Sequence, residues 1–132
     1  MNRYYLRIID AGIELTNACY GAARSSGWHT DPKTGVQRTV EENKALFPTR
    51  IALCHSELSE ALEGDRKSLM DDHLPHRPMA EVELADAVIR IFDLAGAMGY
   101  NLGGAIAEKL EYNGKRKDHK IEARNSVGGK AY

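Results

Sequence analysis

The sequence is poor in sheet formers and carries no excess charge of either sign. Val, Ile and Thr are thinly spread, and no hairpin dipeptide lies between alternating apolar runs, which argues against a β fold. Lys and Arg total 18 against 19 Asp and Glu. A chain so balanced lacks the basic footprint of a nucleic-acid binder and has no bulk attraction for an anionic membrane. The two cysteines, Cys19 and Cys54, have no metal-type spacing and are expected as buried free thiols of a reducing cytoplasm rather than as a disulfide. No apolar segment approaches a membrane span, and MNRYYLRIIDAGIEL contains no continuous apolar stretch of the signal type. The expectation is a cytoplasmic protein with neither a nucleic-acid nor a membrane partner. At 132 residues the chain suits a single domain that buries a core but leans on oligomerisation. It has no internal repeat and no dividing linker.

What remains is helical. A first helix is expected from about Asn2 to Arg24, with Leu6, Ile9, Ile13 and Tyr20 near one face. Residues 25–38 read as loop through Asp31-Pro32 and Thr34-Gly35. Thr39 and Glu42 have the spacing of a capping box for a short helix through Leu46, and Pro48 suits the first turn of a long helix to about Arg66. DDHLPHRP breaks the pattern at residues 71–78. A third long helix is expected from Met79 to Met98 with Gly99 as C-cap, and a last one capped by Asn101 and ending near Arg116. The polar residues 117–132 read as an irregular tail.

Two acid pairs stand out in this frame: Glu57 with Glu60, and Glu83 with Asp86. Residues three apart share a helix face, so two packed antiparallel helices bring four carboxylates together. Like charges held close repel unless a cation lies among them, and hard divalent ions favour carboxylate oxygen. Glutamates at helical spacing are usually solvated, but the third helix is apolar around most of its circumference. Glu83, Asp86, Arg90 and Asp93 form its one polar stripe. A stripe enclosed in this way must face something specific, because unpaired buried charge costs several kcal/mol. Asp93 reads as a supporting acid or a partner for Arg90. On the preceding helix, Ile51, Cys54, Leu58 and Leu62 make the main apolar stripe, with Glu57 to one side and Glu60 nearly opposite.

Lys109, Asn113 and Arg116 share a face of the last helix. They suit a clamp on phosphoryl oxygens, and equally a solvated basic end that complements the helix dipole.

These motifs resemble one family. Glu57-Leu-Ser-Glu60, a spacer of 22 residues, Glu83-Leu-Ala-Asp86 and then Lys109…Asn113-Gly-Lys-Arg116 are similar to the MazG-like nucleotide pyrophosphohydrolases. That family belongs to the all-α nucleotide pyrophosphatase superfamily, with dimeric dUTPases and phosphoribosyl-ATP pyrophosphohydrolase. The resemblance spans residues 50–116. It implies a four- to five-helix bundle over residues 1–116, assembled as a homodimer or homotetramer. It implies Mg²⁺, with Mn²⁺ as a substitute, held by Glu57, Glu60, Glu83 and Asp86. Lys109, Asn113 and Arg116 would hold phosphates of a nucleoside triphosphate cut between its α and β phosphates. Glu60 is our choice for the carboxylate that takes a proton from the attacking water.

Trp28 and His29, in the loop after the first helix, suit either a loop pinned by a buried indole or a surface for stacking a base. The resemblance favours the second, with both residues at the nucleobase. His73 and His76 are separated by proline and lack further ligands, so they read as loop residues. Gly103-Gly104 follows no strand and is expected to permit close helix packing. A dUTP-, dUDP- or phosphoribosyl-ATP-type substrate, and a nucleotide-binding module without turnover, remain alternatives. A di-iron bundle would need Glu-x-x-His motifs, which neither acid pair supplies.

Overall fold

The computed structural model describes residues 2–130 and 132, and among them it is all-helical. The helices are α1 (Arg3–Ser25), α2 (Val40–Ala45), α3 (Phe47–Lys67), α4 (Met79–Met98), α5 (Leu102–Lys115) and α6 (Ile121–Arg124), with a 3₁₀ turn at Lys117–His119. Among the described residues no helix is long and apolar enough to cross a membrane.

The ends of these helices follow from local chemistry. Thr39 accepts from the Glu42 amide while the Glu42 carboxylate accepts from the Thr39 amide, so the capping box before α2 forms as expected. Pro48 stands in the first turn of α3. Gly99, with φ of 68°, stops α4, and the Tyr100 amide reaches back to the Ala95 carbonyl. Asn101 accepts from the Gly104 amide at 2.8 Å and starts α5. The tail departs from expectation. The tail carries the 3₁₀ turn and α6, because Lys117, Lys120, Ile121 and Ala123 offer carbonyls to amides three or four residues ahead instead of leaving the backbone extended.

The described residues fall into two compact units. One comprises Met1–Ile13 and Asn101–Tyr132, the other Glu14–Tyr100. In the first, α1 and α5 meet backbone to backbone: a Cβ on Gly12 would lie 2.3 Å from the Gly103 Cα. Gly103 therefore permits close packing, as expected. In the second, α3 and α4 form an antiparallel pair closed by the loop of residues 68–78. Gly64 meets Met79 at the closed end and Glu57 meets Arg90 farther along.

The face of α3 that packs on α4 is not the leucine stripe. Cys54, Glu57, Ala61 and Gly64 are its buried residues. Leu58 and Leu62 are 46% and 60% exposed, and Ile51 is at the margin of exposure. Small side chains let the two axes approach, and a leucine in that seam would hold them apart. On α4 the core residues are Ala87, Phe92, Leu94 and Ala95, while Leu84, Val88, Ile89 and Ile91 stay exposed. On α1, Leu6 and Ile13 are likewise exposed.

Candidate functional site

Because Glu57 lies in the seam, the α3–α4 pair draws acids together. Ligand atoms of Glu57, Glu60 and Glu83 lie within 4.8 Å of one another. Glu57 is buried, Glu83 half-buried and Glu60 exposed. Among the described residues this is the one such group of acids, cysteines or histidines. Asp86 stands outside it but lines the same cleft as Glu57. His73 and His76 stay in the exposed loop, apart from any such group.

Three like charges at this distance are compensated in two ways. Arg90 donates through Nε to Glu57 Oε1. Glu83 is pushed up to about 7, first by burial, then by its hydrogen bond with Glu57 and by the charges of Glu60, Glu57 and Asp86. In its protonated form Glu83 donates to the Glu57 carboxylate. Burial, followed by the charge of Glu57, also raises Asp86. Carboxylate oxygens are the donors that hard divalent cations favour.

The cleft beside these acids measures about 660 Å³. Ala22, Leu46, Leu53 and Ile89 give it apolar walls, and Arg38, Arg50 and Arg90 give it cationic groups. Trp28 and His29 also line it, but in opposite senses. Trp28 is 74% exposed, its backbone tied by the Ala23 carbonyl and by Arg38 Nη1. The loop is therefore not pinned by a buried indole.

His29 is the buried member, at 2% exposure. Its Nε2 lies 2.6 Å from Asp93 Oδ1, its Nδ1 lies 3.1 Å from Arg50 Nη2, and Tyr20 packs edge-on against the ring. Guanidinium only donates, so Nδ1 accepts and the proton sits on Nε2, facing Asp93. With both nitrogens engaged, His29 organises the cleft wall and has no free edge for a base. Asp93 accordingly partners His29 and not Arg90.

Arg50 completes this network and was not among the residues expected. Its Nη2 also donates to Asn43 Oδ1 at 2.9 Å, while Nη1 is buried without a hydrogen-bond partner among the described residues. Burial is the main cause that lowers its pKa. One signal was available: Arg50 precedes Glu57 by seven residues and so shares its face of α3.

Lys109, Asn113 and Arg116 belong to the unit that holds α5. There Arg116 forms a two-point pair with Asp118, at 3.0 and 2.6 Å. Lys109 Nζ sits 4.7 Å from the centre of the Tyr112 ring, and Asn113 Oδ1 is buried without a hydrogen-bond partner among the described residues. Both cysteines are free, with Cys54 buried and Cys19 half-buried.

Compared with protein-family models, with curated proteins and with solved structures, the chain matches none.

Proposed function

We propose that this protein is a divalent-metal-dependent nucleoside triphosphate pyrophosphohydrolase of the MazG-like type. One observation carries the reading: Glu57, Glu60 and Glu83 converge within 4.8 Å beside a cleft of about 660 Å³ that also holds Asp86, three arginines and Trp28. Its volume is of the size that takes a small-molecule ligand.

A bound Mg²⁺ would neutralise phosphate charge and make a bound water more acidic. Glu57, Glu60, Glu83 and Asp86 would hold it, the first already oriented by its neighbours. Glu60, the exposed member of the cluster, would take a proton from the attacking water. The oxygen of this water would bond to the α-phosphorus as the bond from that phosphorus to the bridging oxygen breaks and pyrophosphate leaves. Trp28 offers its exposed face to the base, while Asp93, His29 and Asn43 hold Arg50 at the cleft wall.

The exposed Leu58, Leu62, Leu84 and Val88 support assembly as a homodimer or homotetramer. Pyrophosphate release from a panel of common and oxidised (d)NTPs, dUDP and phosphoribosyl-ATP, with Mg²⁺ and with EDTA, tests the activity. Release that needs Mg²⁺ and is lost in Glu57→Gln supports it. Turnover unaffected by EDTA, or tight nucleotide binding with no turnover, would refute it.

A further inference from the structure

We infer that Arg90 has two successive partners: the Glu57 carboxylate in the metal-free protein, and a phosphoryl oxygen of the substrate once a divalent cation takes that carboxylate. This rests on the metal reading of the preceding subsection and adds to it a substrate-binding residue.

The observation is the way Arg90 uses its guanidinium. Of its nitrogens, Nε alone is engaged, on Glu57 Oε1. An arginine kept only for structure would be expected to set its planar fork two-point on the acid, as Arg116 does on Asp118. The two terminal nitrogens of Arg90 have no hydrogen-bond partner among the described residues. The side chain is 43% exposed and lines the same cleft as Asp86 and Arg50. The fork is therefore half spent on Glu57 and half open toward ligand space. Arg50 differs in having a terminal nitrogen held by His29 and Asn43 and in making no pair with an acid of the cluster, although its other terminal nitrogen is also without a partner among the described residues.

Charge makes the first partnership conditional. Arg90 is the lone cation on the polar stripe of α4, among Glu83, Asp86 and Asp93, with Glu57 and Glu60 supplied by α3. In the metal-free state it compensates the buried Glu57. A divalent ion ligated by that carboxylate repels the guanidinium and competes with it for the same negative charge, so the pair weakens once the ion is bound. The displaced side chain is already at the cleft, where the ligand's phosphate oxygens supply a planar-fork acceptor.

The test combines metal binding without nucleotide and turnover with it. Free Mn²⁺ is titrated by electron paramagnetic resonance into wild type, Arg90→Gln and Arg90→Lys. Arg90→Gln should bind Mn²⁺ about tenfold more tightly, because the resident cation is gone, with Arg90→Lys between. The same variant should nevertheless lose about 30-fold or more in kcat/KM, because a charge-assisted phosphate contact is lost. Opposite movement of the two quantities is the signature; a structural ion pair would weaken both. Unchanged or weaker Mn²⁺ binding by a folded Arg90→Gln overturns the inference and leaves the metal reading intact. So does tighter binding with unchanged kcat/KM. Wild type that takes up no Mn²⁺ sinks both together. Should the variants fail to fold, the Arg90 Nε–H signal of ¹⁵N-labelled wild type decides. It should shift and exchange faster with water at saturating Mg²⁺, and a signal that stays put overturns the inference.

Discussion

His29 and Asp93, 64 residues apart in the chain, are joined by a 2.6 Å contact between Nε2 and Oδ1. The imidazole is buried, so this contact decides which nitrogen holds the proton and therefore how Arg50 is held on the other side of the ring. Asp93→Ala leaves a buried N–H without an acceptor and should cost about 1–3 kcal/mol in urea unfolding. Asp93→Asn can still accept through its amide oxygen and should lose less than half of that. Equal losses would mean that Asp93 acts only through its charge.

The seam between α3 and α4 makes a second prediction. A methyl on Gly64 would meet Met79 Cβ at 2.9 Å and the Ala80 amide nitrogen at 3.0 Å. Backbone cannot step aside as a flexible side chain does, so Gly64→Ala should destabilise by about 1–3 kcal/mol. Gly21, inside α1, has open space where its Cβ would be. Gly21→Ala should therefore stabilise, by up to about 1 kcal/mol, since alanine is the better helix former. Chemical denaturation of the pair checks opposite signs for one substitution type.

Those two glycines also mark where the sequence was readable. The bounds of α4 were legible from Pro78 and Gly99, the start of α2 from Thr39 and Glu42, and that of α5 from Asn101, because caps and breakers act within a few residues. Three of the four paired acids were legible as a group, since i,i+3 spacing fixes a face, while Asp86 stands outside it. The inner face of α3 was not. Periodicity weighs hydrophobicity, which points to Leu58 and Leu62, whereas close approach selects Ala61 and Gly64. Nor does any local pattern tie His29 to Asp93 or Arg50 to Asn43; only the folded chain brings them together. Trp28 was legible as a candidate but not as an exposed one, because a lone tryptophan fits a pin and a platform equally well.

Glu83 makes the metal-free protein sensitive to pH. Its folded value is about 7 against an ordinary 4.5, so between these values the folded form holds a proton that the unfolded chain has released. A raised carboxyl contributes stability fully below the ordinary value and loses it as pH rises through the folded one. In thermal melts without metal, wild type and Glu83→Gln should have similar Tm near about pH 5, and wild type should fall below the variant by about pH 8. Added Mg²⁺ should lift wild type at the higher pH by binding the folded state. A constant difference across the range would show that Glu83 does not titrate there.

Trp28 supplies a readout of its own, as the single tryptophan of the chain. Its exposed ring at the cleft should stack a base, a contact contributing about 1–3 kcal/mol. Trp28→Ala should raise KM about 5- to 150-fold with little change in kcat. Nucleotide added to wild type should quench its fluorescence. A variant with unchanged KM would remove Trp28 from the site.

The exposed apolar residues make the last prediction. Leu84, Val88 and Ile91 lie at i, i+4 and i+7 on α4 and are 53%, 43% and 40% exposed. They share one face, and Leu58 and Leu62 form a second such row on α3. These rows are exposed, and contiguous apolar patches on proteins mark contacts with other chains. A second copy of the chain is the partner that is always present at equal concentration, so assembly should be concentration-dependent and should protect these rows. Leu84→Glu puts a charge into that contact, where burial without a partner is costly. It should convert a sedimenting dimer or tetramer into a monomer at low micromolar concentration, while Leu74→Glu in the loop at residues 68–78 should not. A folded monomer of wild type under those conditions would mean that the rows serve some other ligand or none.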